Sequence, residues 1–408
     1  MKKYDVIVCG GGPAGVCSAL RASREGVSVL LIEKNGCLGG IWTAGMVGLF
    51  LDTAGKGGII REICERLENS DSGRFIRGGN FLCSPEDLKY LLETMCRESG
   101  VDIRLYTWIT GCRKHGNKIL SVCTHSKSGK EEFQGKIFVD ATGDGDVGYF
   151  AGCQYEIGLH EGTVRQPMSL FALVSGLRYE DVKSFDNAVE PPSGESPKRL
   201  LNKALEEIGI LPSQTLPALY HLSNDLYLFT VTHEYGYQSE NANDLTAATL
   251  HARTEIHQIA KTLRKQGGIW RNIRVAATAE TIGARDGRRI LGVETVTRED
   301  ILNSKRFDDA VCTAYFPMDV HAVSSEETSG YSYVGKTSGY GIPAGALIAK
   351  DMENLLMAGK CISGDFYAQA SYRVTGIAAA TGEQAGAMAS ACLKHSFHSV
   401  KEVLQLLK

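Results

Sequence analysis

The sequence predicts an α/β chain whose glycine-punctuated fold is interrupted by an inserted α+β segment, and three observations support this. Between Lys3 and Lys34 an apolar run, a glycine turn, a helical pattern and a second apolar run follow one another. Two later apolar runs, Lys136 to Asp140 and Asn354 to Ala358, also lead straight into glycine turns. From about Gly152 to Ala322 such turns thin out, and longer strands and helices take over. The expected division is 1–160, 161–328 and 329–408, with the outer two parts completing one unit around the middle one.

The first stretch can be justified residue by residue. Tyr4 to Cys9 reads as a strand, and Gly10-Gly11-Gly12-Pro13-Ala14-Gly15 as the turn into a helix with Ala14, Cys17, Ala19, Leu20 and Ala22 available to one face. Gly10 permits the tight turn, Gly12 lets the backbone approach a pyrophosphate, and Gly15 lets the helix pack closely on the sheet, while free N–H groups at the helix start face the anion. Val27 to Ile32 forms the second strand and ends on Glu33, 18 residues past Gly15, where a carboxylate can accept hydrogen bonds from an adenosine ribose. Lys34, beside it, is counted with the same site. A bare G-x-G-x-x-G matches many unrelated turns. With strand, helix and acid all in place, the stretch reads as a Rossmann-like dinucleotide site.

Composition narrows the classes further. The chain has 408 residues, 43% hydrophobic and 22% charged, which suits a globular protein of two or three units. Its 46 glycines are about 11%, against roughly 7% in average usage, as expected where backbone approaches a ligand. A net charge of −3 without a basic tract argues against nucleic acid and anionic membrane as partners. No apolar run approaches a membrane span and no export pattern precedes the first strand, so a cytoplasmic protein is expected. The 12 cysteines are scattered singly, which reads as reduced packing thiols and gives no metal-ligand spacing; Cys37, near the turn, is the one set apart.

Further along, Gly39 and Gly40 stand in a loop of glycines and large apolar residues, and bring backbone N–H groups toward the pyrophosphate or a ring beyond it. Ser84 is an N-cap, Pro85 takes the first helical position, and Glu86 and Asp87 fill the first turn of a helix to about Ser99. Val101 to Tyr106, Trp108 to Arg113, Ile119 to Thr124 and Glu132 to Gln134 read as a small meander, after which Lys136 to Asp140 returns as a separate buried strand. It ends in Ala141-Thr142-Gly143-Asp144-Gly145-Asp146, a second contact to the same ligand, whose aspartates read as turn caps rather than as metal ligands.

In the middle segment Glu190-Pro191-Pro192-Ser193-Gly194 reads as a linker. Asp244 to Gln266 reads as a helix with one apolar stripe through Leu245, Ala248, Ala252, Ile256, Ile259 and Leu263. His251 and His257 fall outside that stripe and are expected to be exposed. At the end of the chain, Gly364-Asp365 forms a glycine-acid turn, and Arg373 and Val374 precede a small-residue helix from Thr375 to about Leu393. Gly382 and Gly386 in that helix suit tight packing against a sheet or ligand better than a membrane dimer. Arg373 before the helix start calls for an anionic partner nearby.

Taken together, D-V-I-V-C-G-G-G-P-A-G with Glu33, Gly39-Gly40, Ala141 to Asp146, Ile282 to Ile290, Gly341-Ile342-Pro343, and Gly364-Asp365 with Ser371 to Gly376 resemble the FAD-dependent oxidoreductases of the glutathione-reductase-like two-dinucleotide-binding superfamily. Within it the chain is most similar to bacterial proteins known as fumarate-reductase-like or xanthan-lyase-associated flavoproteins. The resemblance implies that the N-terminal turn and Glu33 hold the ADP half of FAD. It further implies that Ala141, Gly143 and Asp144 add a contact, that Asp365 lies by the ribityl chain, and that the helix near Gly376, with Arg373 and Val374, points at the flavin pyrimidine. A positive helix end there stabilises the anion formed on reduction. No second G-x-G-x-x-G appears, so electrons are expected from the substrate or an external donor; no histidine-attachment pattern appears either, so the FAD is expected to be non-covalent.

For the chemistry, His321 is the candidate base and Arg285 the candidate carboxylate clamp, with Arg165 and His233 as weaker alternatives. The expected function is hydride transfer between FAD and a small organic molecule, with carboxylates among the candidates. The alternatives are a flavin monooxygenase or reductase of an unsaturated substrate, and a non-redox dinucleotide-binding protein resembling thiazole synthases in which Cys37 or Cys153 serves as sulfur source.

Overall fold

The computed structural model describes residues 2–190, 194–321, 331–333 and 337–407. Of the proposed linker Glu190 to Gly194, residues 191–193 lie outside them, as does the proposed boundary between 328 and 329. The central sheet forms from the runs that are apolar on both faces, as strands covered by helices on either side must be. Lys3–Cys9 lies parallel to Val29–Ile32 on one side, Val6 opposite Val29 and Cys9 opposite Ile32, and to Gly129–Asp140 on the other. Asp102–Arg104 adds the outer parallel strand beside Val29–Ile32.

Two expectations about this sheet change. Glu132 to Gln134 and Lys136 to Asp140 are one twelve-residue strand, Gly129–Asp140, and not two. Gly135, which suggests a break, is a packing glycine: a Cβ there would sit 3.0 Å from the Ile7 side chain of the neighbouring strand. The strand's first half pairs antiparallel with Lys118–Ser126 and its second half parallel with Leu355–Met357, so one element serves both meander and core. Val101 to Tyr106 likewise leaves the meander, because its three paired residues follow the central strands and the chain then turns at Tyr106, whose φ is 52°.

Helices clamp this sheet. Ser84 caps Pro85–Glu98 by accepting from the Asp87 N–H, as its position suggests. The C-terminal helix Thr375–Lys394 lies against Pro13–Arg24 with almost no side chain between them: a Cβ on Gly382 would stand 2.1 Å from the Ala14 carbonyl oxygen, and one on Gly386 2.3 Å from that of Ser18. The paired glycines thus serve packing inside the chain.

A second hydrophobic core gathers residues between Met168 and Ile282. It lies between the antiparallel sheet of Phe171–Ser175, Ala218–Ser223, Leu226–Thr230 and Arg274–Thr278 and the long helix Ala242–Gln266. That helix starts before Asp244, because the Asn241 side chain accepts from the Asn243 and Asp244 N–H groups. Ala248, Ala252, Ile256, Ile259 and Leu263 face the core, and His251 and His257 are exposed. Among the described residues no helix is long and apolar enough to cross a membrane.

Candidate functional site

The N-terminal turn is shaped by what its glycines touch. Gly10 has φ +97°, and a Cβ on it would lie 2.4 Å from the Ala141 carbonyl oxygen, so the first turn crosses directly over the second. A Cβ on Gly15 would stand 1.8 Å from the Gly10 carbonyl oxygen. Gly12 differs from both, since a Cβ there would meet nothing within 4 Å. It caps Pro13–Arg24 in extended conformation, no side chain caps that end, and no acidic residue occupies its first turn. An open space bordered by uncapped backbone N–H groups suits an anion.

Glu33 closes one side of the turn. It is buried, with Oε2 accepting from the Gly11 N–H at 2.6 Å and Oε1 from the Asn35 N–H at 2.8 Å, which leaves further lone pairs on both oxygens. The Lys34 ammonium lies 5.3 Å from the centre of the Trp108 ring. Gly39 donates its N–H to the Gly11 carbonyl at 2.7 Å, and a Cβ on Gly40 would sit 2.9 Å from the Gly12 Cα, so the glycine pair closes onto the turn.

Ala141 to Gly143 are held by the buried Asp140, which accepts from the Thr142 hydroxyl at 2.7 Å and the Gly148 N–H at 2.9 Å. Asp144 pairs with Lys360 at 2.7 Å and Asp146 with Arg288 at 3.0 Å. Among the described residues no group of three or more His, Cys, Asp and Glu side chains is arranged to hold a metal. Asp365, after Gly364, caps the helix Phe366–Tyr372: Oδ1 accepts from Ala368 N–H at 2.7 Å and Oδ2 from Arg298 N–H at 2.6 Å. Arg373 ends that helix and Val374 caps the next. Gly376 donates to the Leu51 carbonyl at 3.1 Å, while the Thr375 hydroxyl beside it is buried without a hydrogen-bond partner among the described residues.

Just before this helix start lies a buried side-chain cluster. Asp319 and His321 are two residues apart on one short strand, hence on one face, and His321 Nε2 lies 3.1 Å from Asp319 Oδ2. Arg373 donates to the Asp319 carbonyl at 3.0 Å and reaches its carboxylate at 3.4 Å, which supplies the anionic partner that its position calls for. The His233 ring stands edge-on to that of His321, 5.1 Å between centres. Arg285 donates to the Ser169 hydroxyl at 3.0 Å, to the Pro167 carbonyl, and to His233 Nε2 at 3.4 Å. Gln166 accepts the His321 N–H and donates its own backbone N–H to Asp286, so Asp286 is engaged by Gln166.

The charges follow from these contacts. Burial pushes the Asp319 carboxyl up, but His321, Arg373 and Arg285 together hold it well below the usual carboxylate range. An ionised carboxylate only accepts, so His321 carries its proton on Nε2 and its lone pair on Nδ1. Burial, then Arg285, pushes the His321 imidazole down to about 3 against the pull of Asp319. Burial and Arg285 also keep His233 neutral, and since Arg285 only donates, the lone pair of His233 lies on Nε2.

Of the candidate catalytic residues, His321, Arg285 and His233 come together. Arg165 instead makes a bidentate pair with Glu240 at 2.6 and 3.2 Å. Cys153 is buried and its thiol pushed up to about 12 by burial, while the half-buried Cys37 thiol is raised for the same reason and lies 3.7 Å from the Thr43 hydroxyl. Neither has the lowered value of an activated thiolate. Sequence reasoning missed Asp319 and Gln166; the D-x-H spacing on a strand was the available sign for Asp319.

The profile of the family described as "FAD dependent oxidoreductase" matches residues 5–406. Among curated proteins, NADH:fumarate oxidoreductase of Klebsiella pneumoniae (strain 342) is 51% identical over 39 residues, 10% of this chain and 4% of that protein's length. Among solved structures, the flavin-dependent brominase Bmp2 aligns with 100% of this chain and 83% of its own at 16% identity and a TM-score of 0.53. A geranylgeranyl bacteriochlorophyll reductase-like protein from Thermoplasma acidophilum aligns with 100% and 84% at 14% identity and a TM-score of 0.52. At such identities the likeness is one of fold.

Proposed function

The chain belongs to the FAD dependent oxidoreductase family, and from that premise we propose that it transfers a hydride between a small carboxylated organic molecule and non-covalently held FAD. The observation that carries this reading is the meeting of His321, Asp319, Arg373, Arg285 and His233 in one buried cluster beside the start of the C-terminal helix. The short likeness to an enzyme named for fumarate, itself a carboxylate, supports the substrate class.

The turn fits the cofactor, because the space beside Gly12 adjoins an uncapped helix start and the fixed carboxylate of Glu33. Gly10 to Gly15 would hold the pyrophosphate and Glu33 the ribose. The unspent Thr375 hydroxyl and Arg373 Nε, buried without partners among the described residues, suit the polar edge of a ring system. Bound there, FAD supplies the acceptor or donor of the hydride.

The side chains of the cluster do the rest. Arg285, its fork fixed by Ser169, Pro167 and His233, would orient a carboxylate by charge-assisted hydrogen bonds. His321 Nδ1 would take the proton released as the hydride leaves, with Asp319 holding the tautomer and orientation. A carboxylate against Arg285 also offsets part of the charge that depresses His321, so substrate binding makes the imidazole a better base.

Anaerobic mixing of the FAD-loaded protein with a panel of small carboxylates tests the reading, since a substrate bleaches the oxidised-flavin absorbance. His321→Ala should slow the bleaching about 10²- to 10⁴-fold and leave FAD affinity nearly unchanged. Equal loss of both, no change in either, or NADPH-driven oxygen uptake without carboxylate-dependent bleaching would overturn it.

A further inference from the structure

Asp319 is the residue on which the two halves of the cluster converge. Its Oδ2 takes His321 Nε2 at 3.1 Å and Arg373 Nη2 at 3.4 Å, and its backbone carbonyl takes the same Nη2 at 3.0 Å. Asp319 Oδ1 and Arg373 Nε are both buried without hydrogen-bond partners among the described residues. The arginine therefore spends Nη2 on Asp319 and leaves Nε unpartnered among the described residues, and it sits two residues before the helix Thr375–Lys394. His321 meets the same carboxylate oxygen, Oδ2, as Arg373. The neighbouring strand, Tyr331–Tyr333, pairs with Asp319–His321, Asp319 opposite Tyr333 and His321 opposite Tyr331, and so fixes the spacing of the two residues.

We propose that Asp319 is a positioning residue that ties the proton-accepting imidazole to the redox poise of the flavin, by holding His321 with one lone pair and partly neutralising Arg373 with another. The proposal rests on the function proposed above. A guanidinium at the edge where negative charge collects on reduction favours the reduced form, and a carboxylate bonded to that guanidinium moderates the effect. The same carboxylate fixes which imidazole nitrogen is free of its proton. Reduction potential and base orientation are thus set by one side chain.

Midpoint potentials of the FAD-loaded variants test this, because a residue that only supports the fold has no reason to move them in opposite directions. Asp319→Asn keeps the shape and an acceptor for His321 but removes the negative charge. It should shift the reduced-to-oxidised ratio at fixed potential about tenfold toward reduced, ~30 mV for a two-electron couple. Arg373→Gln should shift it by a similar factor toward oxidised. His321→Gln, neutral for neutral, should leave the potential where it is and still slow flavin reduction by substrate.

An unshifted potential in either of the first two variants, once shown to fold and hold FAD, overturns the proposal; so do shifts of both in one direction. The companion variant separates the two readings. Unmoved potentials with a slow His321→Gln enzyme remove Asp319's role and leave the hydride-transfer reading intact. A His321→Gln enzyme reduced as fast as wild type removes that reading first.

Discussion

The turn at residues 10–15 and the cluster around His321 are made of opposite materials. In the turn, side chains are absent where they would collide, with the Ala141 carbonyl at Gly10 and with the Gly10 carbonyl at Gly15, while Gly12 borders open space. In the cluster, side chains are everything. Two guanidiniums, two imidazoles and a carboxylate arrive from segments as distant as His233 and Arg373, and each fixes the protonation of the next. A site made by backbone is specified within a few consecutive residues, whereas one made by charge needs the whole fold to bring its parts together.

The sharpest way to break this contrast lies within the turn. Gly15→Ala should cost about 3 kcal/mol or more in denaturant unfolding, since the added methyl has only the Gly10 carbonyl oxygen to occupy. Gly12→Ala should leave stability within about 0.5 kcal/mol while weakening FAD binding at least tenfold. Equal destabilisation by the two would show that Gly12 is a packing glycine and that the space beside it is not a ligand site.

The cluster should answer to pH, and the turn should not. His321 titrates at about 3 in the fold but near 6.5 when unfolded, so between those values the unfolded chain binds more protons and stability falls with falling pH. His321 alone predicts a loss of about 2 kcal/mol between pH 6.5 and 5, at roughly 1.4 kcal/mol per unit. His233, also depressed, adds in the same sense, and Asp319, held low, contributes stability that is lost only at more acidic pH. Urea midpoints across this range check it; a His321→Gln protein that kept the full slope would contradict the assignment.

Two smaller effects sharpen the comparison. Arg285→Lys keeps the charge and loses the fork, so KM for the carboxylated substrate should rise about tenfold with kcat changed much less. A matching fall in kcat would place Arg285 in the chemical step instead. Lys34→Gln, which removes only a cation over the half-exposed face of Trp108, should shift stability by about 0.5 kcal/mol or less and barely alter FAD affinity. A large loss of affinity there would mean that side chains, and not backbone alone, build the nucleotide end.

The local sequence determined the dinucleotide unit, the capped helix after Ser84, the apolar stripe of Ala242–Gln266 and the tight-packing glycines of the last helix, because each depends on residues within a turn or two of one another. It misled between Gln134 and Lys136, where one strand reads as two and Gly135 makes room for Ile7 across the sheet. It also left Asp319 and Gln166 unremarked, and could rank His321, Arg285 and His233 only singly. Their partnership, their charge states and the separation of Arg165 from them were decided by tertiary structure alone. Electrostatic coupling falls off with distance in space and carries no trace of separation along the chain.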